Sequence, residues 1–258
     1  MLLHSLGVQK RVIGALLMRE IITRYGRNNI GFLWLIVEPA LFTLVITLVW
    51  HFTRAGRITS IPITALAVTG YASVQLWRNI VNRAKSSISA NNAILYHRNV
   101  RVLDVFLSRT LLEIVGAVSS FIVLCIIFIS MGWMDMPEDP LIIIIALLLL
   151  AWFGASLGLI IGSLNARFLL FERVWKPLSY GMFLLSGLFY LVEWLPPAGQ
   201  SLVLLFPMVH GLELLRSGYF GSHFTPHYDI GYFSLICLGL TLVGLLFVHD
   251  ASRRVEPE

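Results

Sequence analysis

Apolar positions gather into six long runs along the chain, at residues 32–53, 61–81, 111–131, 141–164, 175–192 and 232–249. Roughly 17–25 mostly apolar residues carry a helix across the hydrocarbon of a bilayer. The pattern therefore predicts an all-α integral membrane protein with six transmembrane helices, the second run being the least apolar and the fifth short. Residues 15–27 follow another rhythm. On a helical wheel Ala15, Met18, Ile21, Ile22 and Tyr25 share one side, while Arg19, Glu20, Thr23, Arg24 and Arg27 share the other. Such a segment is expected to lie in the membrane interface, either as a passive anchor or as a cuff that receives force from a cytosolic subunit. The stretch 193–231 is too apolar for a watery loop: LVLLF at 202–206 and MVHGLELL at 208–215 flank Pro207, which breaks a helix. Each half is too short to cross. The expectation is a re-entrant hairpin over about 195–222 that shapes the outer mouth of a pathway, since irregular backbone at that depth needs protein or a cavity around it.

Composition agrees with the pattern. Of 258 residues 57% are hydrophobic and 13% charged, against about 25% charged in soluble domains. That excludes a soluble globular protein, and disorder would require the opposite balance. The net charge of +5 is explained by where the basic residues lie. Sixteen of the 19 fall in the N-terminal segment, the 78–110 connection, residues 165–176 and the tail, and three, Arg54, Arg57 and Arg216, in the alternate loops. Positive residues stay cytoplasmic, so both termini are expected inside and nucleic-acid binding loses its support. The chain divides into a cytoplasmic segment, 1–31, carrying the interfacial helix, and a six-span domain, 32–258. No signal-peptide pattern opens it.

The chemistry-bearing motifs mostly have plainer readings. Gly154-Ala155-Ser156-Leu157-Gly158 has the form of a nucleophile elbow, but it lies mid-span with no strand before it. With Gly162 it makes a small-residue face at four-residue spacing, which lets two helices approach closely. His223 and His227 stand four apart, yet Pro226 intervenes and no Glu follows the first, so no metal site is expected. Cys125 and Cys237 sit in apolar runs as small buried hydrophobes. No phosphate-binding G-x-x-x-x-G-K-[ST] run exists, so no ATPase activity is expected of this chain. Glu38 and Glu113 lie near the inner ends of their spans and no relay of carboxylates crosses the bilayer. An ion-coupled transporter lacks its usual equipment, and a membrane hydrolase lacks a catalytic pair. The aromatics, among them Phe42, Trp50, Tyr180, Phe183 and Tyr190, fit either an interface belt and packing or a lining on which sugar rings stack. Glu38 joins them as a pathway residue. Arg54, Arg57 and Arg216 fit attraction of an acidic polymer, or lipid-phosphate contacts or capping.

The run Arg19-Glu20 through Thr23-Arg24-Tyr25 to Gly31-Phe32-Leu33-Trp34 and Pro39 resembles the opening of the ABC-2 permeases of polysaccharide export. Asn92-Ala93-Ile94-Leu95-Tyr96-His97-Arg98-Asn99-Val100 with Asp104 and Arg109 resembles the loop between spans two and three. Ser186-Gly187-Leu188-Phe189-Tyr190 with Glu193-Trp194-Leu195-Pro196 resembles the end of span five. Pro207 to Arg216 resembles the outer hairpin in the form of the Gram-negative capsule exporters. Asn28-Asn29 departs from a Ser-containing step common in the family. The resemblance implies a multi-pass inner-membrane permease that exports lipid-linked capsular polysaccharide, O-antigen or teichoic acid permeases being the neighbouring possibility. It implies a homodimer on two cytosolic ATPase subunits that hold ATP and Mg, working with periplasmic and outer-membrane export proteins. No cofactor is expected on this chain. By that likeness Asn91, Asn92, Leu95, Tyr96, His97, Arg98 and Asn99, within a loop over about 84–105, dock on the ATPase. Arg19, Glu20, Arg24, Tyr25 and Arg27 belong to the interface cuff, and 165–176 is a shorter second contact.

Overall fold

A computed structural model describes residues 2–25, 33–34, 37, 41, 44–46, 49, 61–91, 100–168 and 170–255. Its α-helices are α1 (Leu2–Tyr25), α2 (Ile63–Lys85), α3 (Val102–Ser130), α4 (Pro140–Arg167), α5 (Phe171–Leu185), α6 (Pro197–Val203), α7 (Pro207–Phe220) and α8 (Ile230–Val255). No strand occurs among the described residues. The described positions within 33–49 are helical, and the rest of the first predicted span lies outside the described residues.

Local chemistry sets the helix boundaries. At α3 the Arg101 backbone N–H donates to the Asp104 carboxylate at 2.9 Å. At α4 the Asp139 carboxylate accepts from the N–H groups of Leu141 and Ile142 at 2.9 and 3.2 Å, with Pro140 as the first helical residue. Capping satisfies donors that a helix start leaves open. Pro207 likewise begins α7, and Gly221, at φ +49°, ends it.

The centre of the bundle is the crossing of α2 and α4, with α7 and α8 packed on α4 and α3 on α2. Fifteen of the 23 residues of α2 are buried. Two of its buried hydroxyls are satisfied within the helix, Thr69 Oγ1 donating to the Ala65 carbonyl at 2.7 Å and Ser73 Oγ to that of Gly70 at 2.8 Å. The crossing is as close as the glycine spacing predicts. A Cβ on Gly154 would lie 2.8 Å from Trp77 Cα, one on Gly158 2.9 Å from Ala84 Cβ, and one on Gly162 2.5 Å from the Ala84 carbonyl oxygen. Trp152 Nε1 ties α4 to α8 by donating to Thr241 Oγ1 at 3.0 Å.

Among the described residues, α3, α4 and residues 230–253 of α8 are long and apolar enough to cross a membrane, and the pair α6–α7, bent by 107° at Leu204–Phe206, makes up to four. The other predicted runs differ for identifiable reasons. The second run lies in α2, where protein rather than lipid surrounds the helix and polar residues are accommodated. The fifth run, expected over 175–192, is a 15-residue helix with Pro177 inside it. It gives way at Gly187, φ +85°, to a turn. Arg78 was expected in a connection, and instead stands inside α2, seven residues before its end.

The N-terminal helix is longer than the segment expected in the interface, beginning at Leu2 and described as far as Tyr25. Leu16 is buried in a small core with Ala84, Val105, Phe106 and Val248, whereas Met18 and Ile22 are exposed. Arg19 and Glu20, on the polar side of the wheel, make contacts within the chain because α1 packs on α3.

Candidate functional site

At the end of the bundle where α2 finishes and α3 begins, polar groups from five segments converge. Arg109 is the hub. Its Nε lies 3.2 Å from the Glu20 carboxylate, and its Nη1 donates to the Arg83 carbonyl at 3.1 Å and to Ser86 Oγ at 3.3 Å. Arg83 pairs with buried Glu113 at 3.4 Å. Arg19 Nη1 donates to Asn91 Oδ1 at 2.9 Å, and Asn91 Nδ2 to the Ser87 carbonyl at 2.9 Å. Gln9 hydrogen-bonds Asp104. Asn165 Nδ2 caps the Lys85 carbonyl at 3.0 Å. The arrangement fastens α1 to the foot of α3 and to the 86–91 turn.

Two predicted groups of residues meet here, since Arg19 and Glu20 reach Asn91 and Arg109 directly. Arg24 and Tyr25 close α1. Arg27, Asn92, Leu95, Tyr96, His97, Arg98 and Asn99 lie outside the described residues, as do Glu38, Phe42, Trp50 and Arg54. The hub role of Arg109 escaped sequence reading, although the signal was present: Asp104, Ser108, Arg109 and Glu113 gather polar groups in the first half of a largely apolar helix.

Three polar rungs join α2 to α5 in antiparallel fashion. Lys85 Nζ meets the Glu172 carboxylate at 2.9 Å, Trp175 Nε1 donates to Asn82 Oδ1 at 3.5 Å, and Arg78 Nε donates to Ser179 Oγ at 3.4 Å. The lysine ammonium holds the Glu172 carboxyl below the usual carboxylate range. Arg78 also lies over two rings, 5.1 Å from the Tyr180 centroid and 4.9 Å from that of Phe183. These two aromatics, expected along a pathway, are thus brought together around one arginine.

At the opposite end the α7 segment is buried from Met208 to Phe220. Arg216 Nη1 donates to the Tyr190 carbonyl at 2.8 Å and Nη2 to that of Leu188 at 3.3 Å, with Glu213 3.9 Å away. The Glu213 carboxylate accepts the backbone N–H of His227 at 3.1 Å and of Val192 at 3.5 Å. His210 bonds the Leu204 carbonyl through Nε2 at 2.7 Å and accepts the Asp229 N–H at Nδ1 at 3.0 Å. The His-Gly-x-Glu-x-x-Arg run thus pins three loops. Arg216 is fully buried on carbonyls rather than presented to solvent, and Tyr190 supplies one of those carbonyls while its hydroxyl donates to Leu185 O at 2.9 Å. No group of His, Cys, Asp and Glu suited to a metal ion occurs among the described residues.

The model of the family described as ABC-2 type transporter matches residues 11–220. The chain is 51% identical over 255 residues to the capsule polysaccharide export inner-membrane protein CtrC of Neisseria meningitidis serogroup B, covering 99% of this chain and 96% of that protein. It is 47% identical to the capsule polysaccharide export inner-membrane protein BexB of Haemophilus influenzae over the same shares. The polysialic acid transport protein KpsM of Escherichia coli is 26% identical, over 92% of each chain.

Proposed function

The chain belongs to the ABC-2 type transporter family, and from that membership we propose that it is the permease subunit of an ATP-driven exporter of lipid-linked capsular polysaccharide. The observation that carries this reading is its near-full-length likeness to inner-membrane capsule export proteins. The permease works as a pair of six-span subunits in the inner membrane, with both termini cytoplasmic. ATP and Mg bind to two cytosolic ATPase subunits and not to this chain, and periplasmic and outer-membrane export proteins receive the polymer. The polymer passes between the two copies, because a hydrated chain is too wide for a single six-helix bundle.

In this reading residues 91–99 dock on the ATPase and the Arg109 hub carries the displacement into α1, α2 and α3. The contact of Arg19 with Asn91 supports this, since it couples the N-terminal helix to the start of the docking segment. The α6–α7 pair forms a re-entrant hairpin at the outer mouth. Aromatics of the first span and of α5, with Glu38 and Arg54, line the pathway. The test is deletion and complementation in the native bacterium. Loss of surface capsule with accumulation of intracellular polymer is expected on deletion, and Arg98→Glu is expected to insert normally yet fail to restore export. Normal capsule without the gene overturns the reading, as does uphill transport by the reconstituted chain without an ATPase.

A further inference from the structure

Arg78 stands apart among the described arginines and lysines that are not exposed. Arg83, Lys85, Arg109, Arg167 and Arg216 each have a carboxylate within 4 Å. Arg78 has none among the described residues, and its contacts are Ser179 Oγ and the faces of Tyr180 and Phe183. Charged side chains at membrane depth nearly always pair, and one left without a counter-ion points to a substrate pathway. Aromatic faces stabilise the charge, but they accept little from the guanidinium N–H groups. Five donors are available, and Nε alone is committed. The two Nη groups retain the planar fork that matches a carboxylate or phosphate.

The surroundings suit a sugar polymer. On α2, most of which is buried, Gln75, Arg78, Asn79 and Asn82 form a half-exposed polar stripe at helical spacing. Tyr180 is 61% exposed beside Arg78, offering an apolar ring to the C–H face of a sugar next to a cation for its acidic group. Seven residues separate Arg78 from the end of α2, roughly 10 Å along the axis, which sets it inward of the surface where a cytosolic subunit docks.

We propose that Arg78, seated on Tyr180 and Phe183, binds anionic oxygen groups of an acidic glycan as it moves along the polar stripe of α2. This rests on the exporter reading and adds the chemical class of cargo that the stripe recognises. The shared chemistry is a sugar-linked carboxylate or the phosphate that joins a glycan to its lipid.

Binding is measured by thermophoresis on the full chain in nanodiscs, with oligosialic acid, short-chain phosphatidylglycerol and neutral maltoheptaose as probes. Oligosialic acid is expected to bind at least tenfold more weakly to Arg78→Ala than to wild type, with loss of the salt dependence. Arg78→Lys is expected to fall between, keeping the charge without the fork. A loss confined to phosphatidylglycerol assigns the site to the phosphate. Equal affinities for wild type and Arg78→Ala overturn the inference, as does wild-type binding of both acidic probes no tighter than that of maltoheptaose. In cells, Arg78→Ala is expected to reach the membrane at wild-type level and to cut surface polymer tenfold. If deletion leaves surface polymer unchanged, the exporter reading fails. If deletion abolishes it and Arg78→Ala restores it fully, the Arg78 site alone fails.

Discussion

The crossing of α2 and α4 makes a prediction in which one substitution changes sign with position. Exchanging a helical glycine for alanine gains roughly 1 kcal/mol of helix propensity. At Gly239, in α8, the added methyl meets nothing within 4 Å, so that gain is expected in full. At Gly162 the same methyl lies 2.5 Å from both the Ala84 carbonyl oxygen and the Phe106 ring. Carbon atoms pack best at roughly 3.5–4.0 Å, so α2 and α4 must part by about 1 Å. Such overpacking costs roughly 1–3 kcal/mol, and a rigid carbonyl puts Gly162 at the upper end. The net is a loss of about 2 kcal/mol after the propensity gain. In a chain of this size 1 kcal/mol moves the melting temperature by roughly 2–4 °C. Thermal unfolding in detergent should therefore place Gly162→Ala about 4–8 °C below wild type and Gly239→Ala about 2–4 °C above it. Gly158 supplies an internal control, because its obstacle is the Ala84 Cβ at 2.9 Å. Ala84→Gly is expected to rescue Gly158→Ala and not Gly162→Ala. Melting at or above wild type for Gly162→Ala, or rescue of both glycine variants, would refute the seam.

Two further outcomes follow from the ion pairs. Arg216→Met leaves Glu213 buried without its cation and removes the donors to the Leu188 and Tyr190 carbonyls. Breaking a buried pair from one side costs roughly 3–5 kcal/mol. Glu213→Leu with Arg216→Met should recover part of it, and an Arg216→Met protein melting like wild type contradicts the pin. The Lys85–Glu172 rung depends on pH. Because Lys85 lowers the folded-state carboxyl value of Glu172, its stabilisation is present above the ordinary carboxylate range and is lost as pH falls through the lowered value. The melting difference between wild type and Lys85→Met should therefore shrink between neutral pH and about pH 3, the acid side of the ordinary carboxylate range, and a constant difference would count against the rung.

The parts of the fold that face lipid were legible. Helices α3, α4 and α8 bury 39%, 50% and 17% of their most apolar windows, so much of their surface must be apolar whatever the protein around it. The glycine spacing on α4 was legible for a related reason, since a small-residue face has little use other than close approach. What escaped were residues whose neighbours are protein. Arg109 and Arg78 look like loop charges in a tally of basic residues, and the structure puts one at a hub and the other on two aromatic rings. The motif around Glu213 and Arg216 was recognised as a block, but its bonds run to backbone groups of residues 188–192 and 227, and backbone donors and acceptors carry no sequence signature.

The same distinction separates the two faces of α2. Toward α4 the contact is apolar and tight at Gly154, Gly158 and Gly162, where even one methyl group is excluded. Toward α5 it consists of three polar rungs of 2.9–3.5 Å, one per turn. Packed apolar seams resist sliding because every displacement opens voids or forces overlap. Each rung has at least one partly exposed member, in Lys85, Asn82 or Arg78, and such hydrogen bonds are individually worth little and can be exchanged for water or for a polar solute. Arg78 and Tyr180 therefore lie on the face where exchange costs least, with the α4 seam as their rigid support. A site for a moving polymer needs that combination: groups able to trade partners repeatedly, mounted on a helix that does not give way.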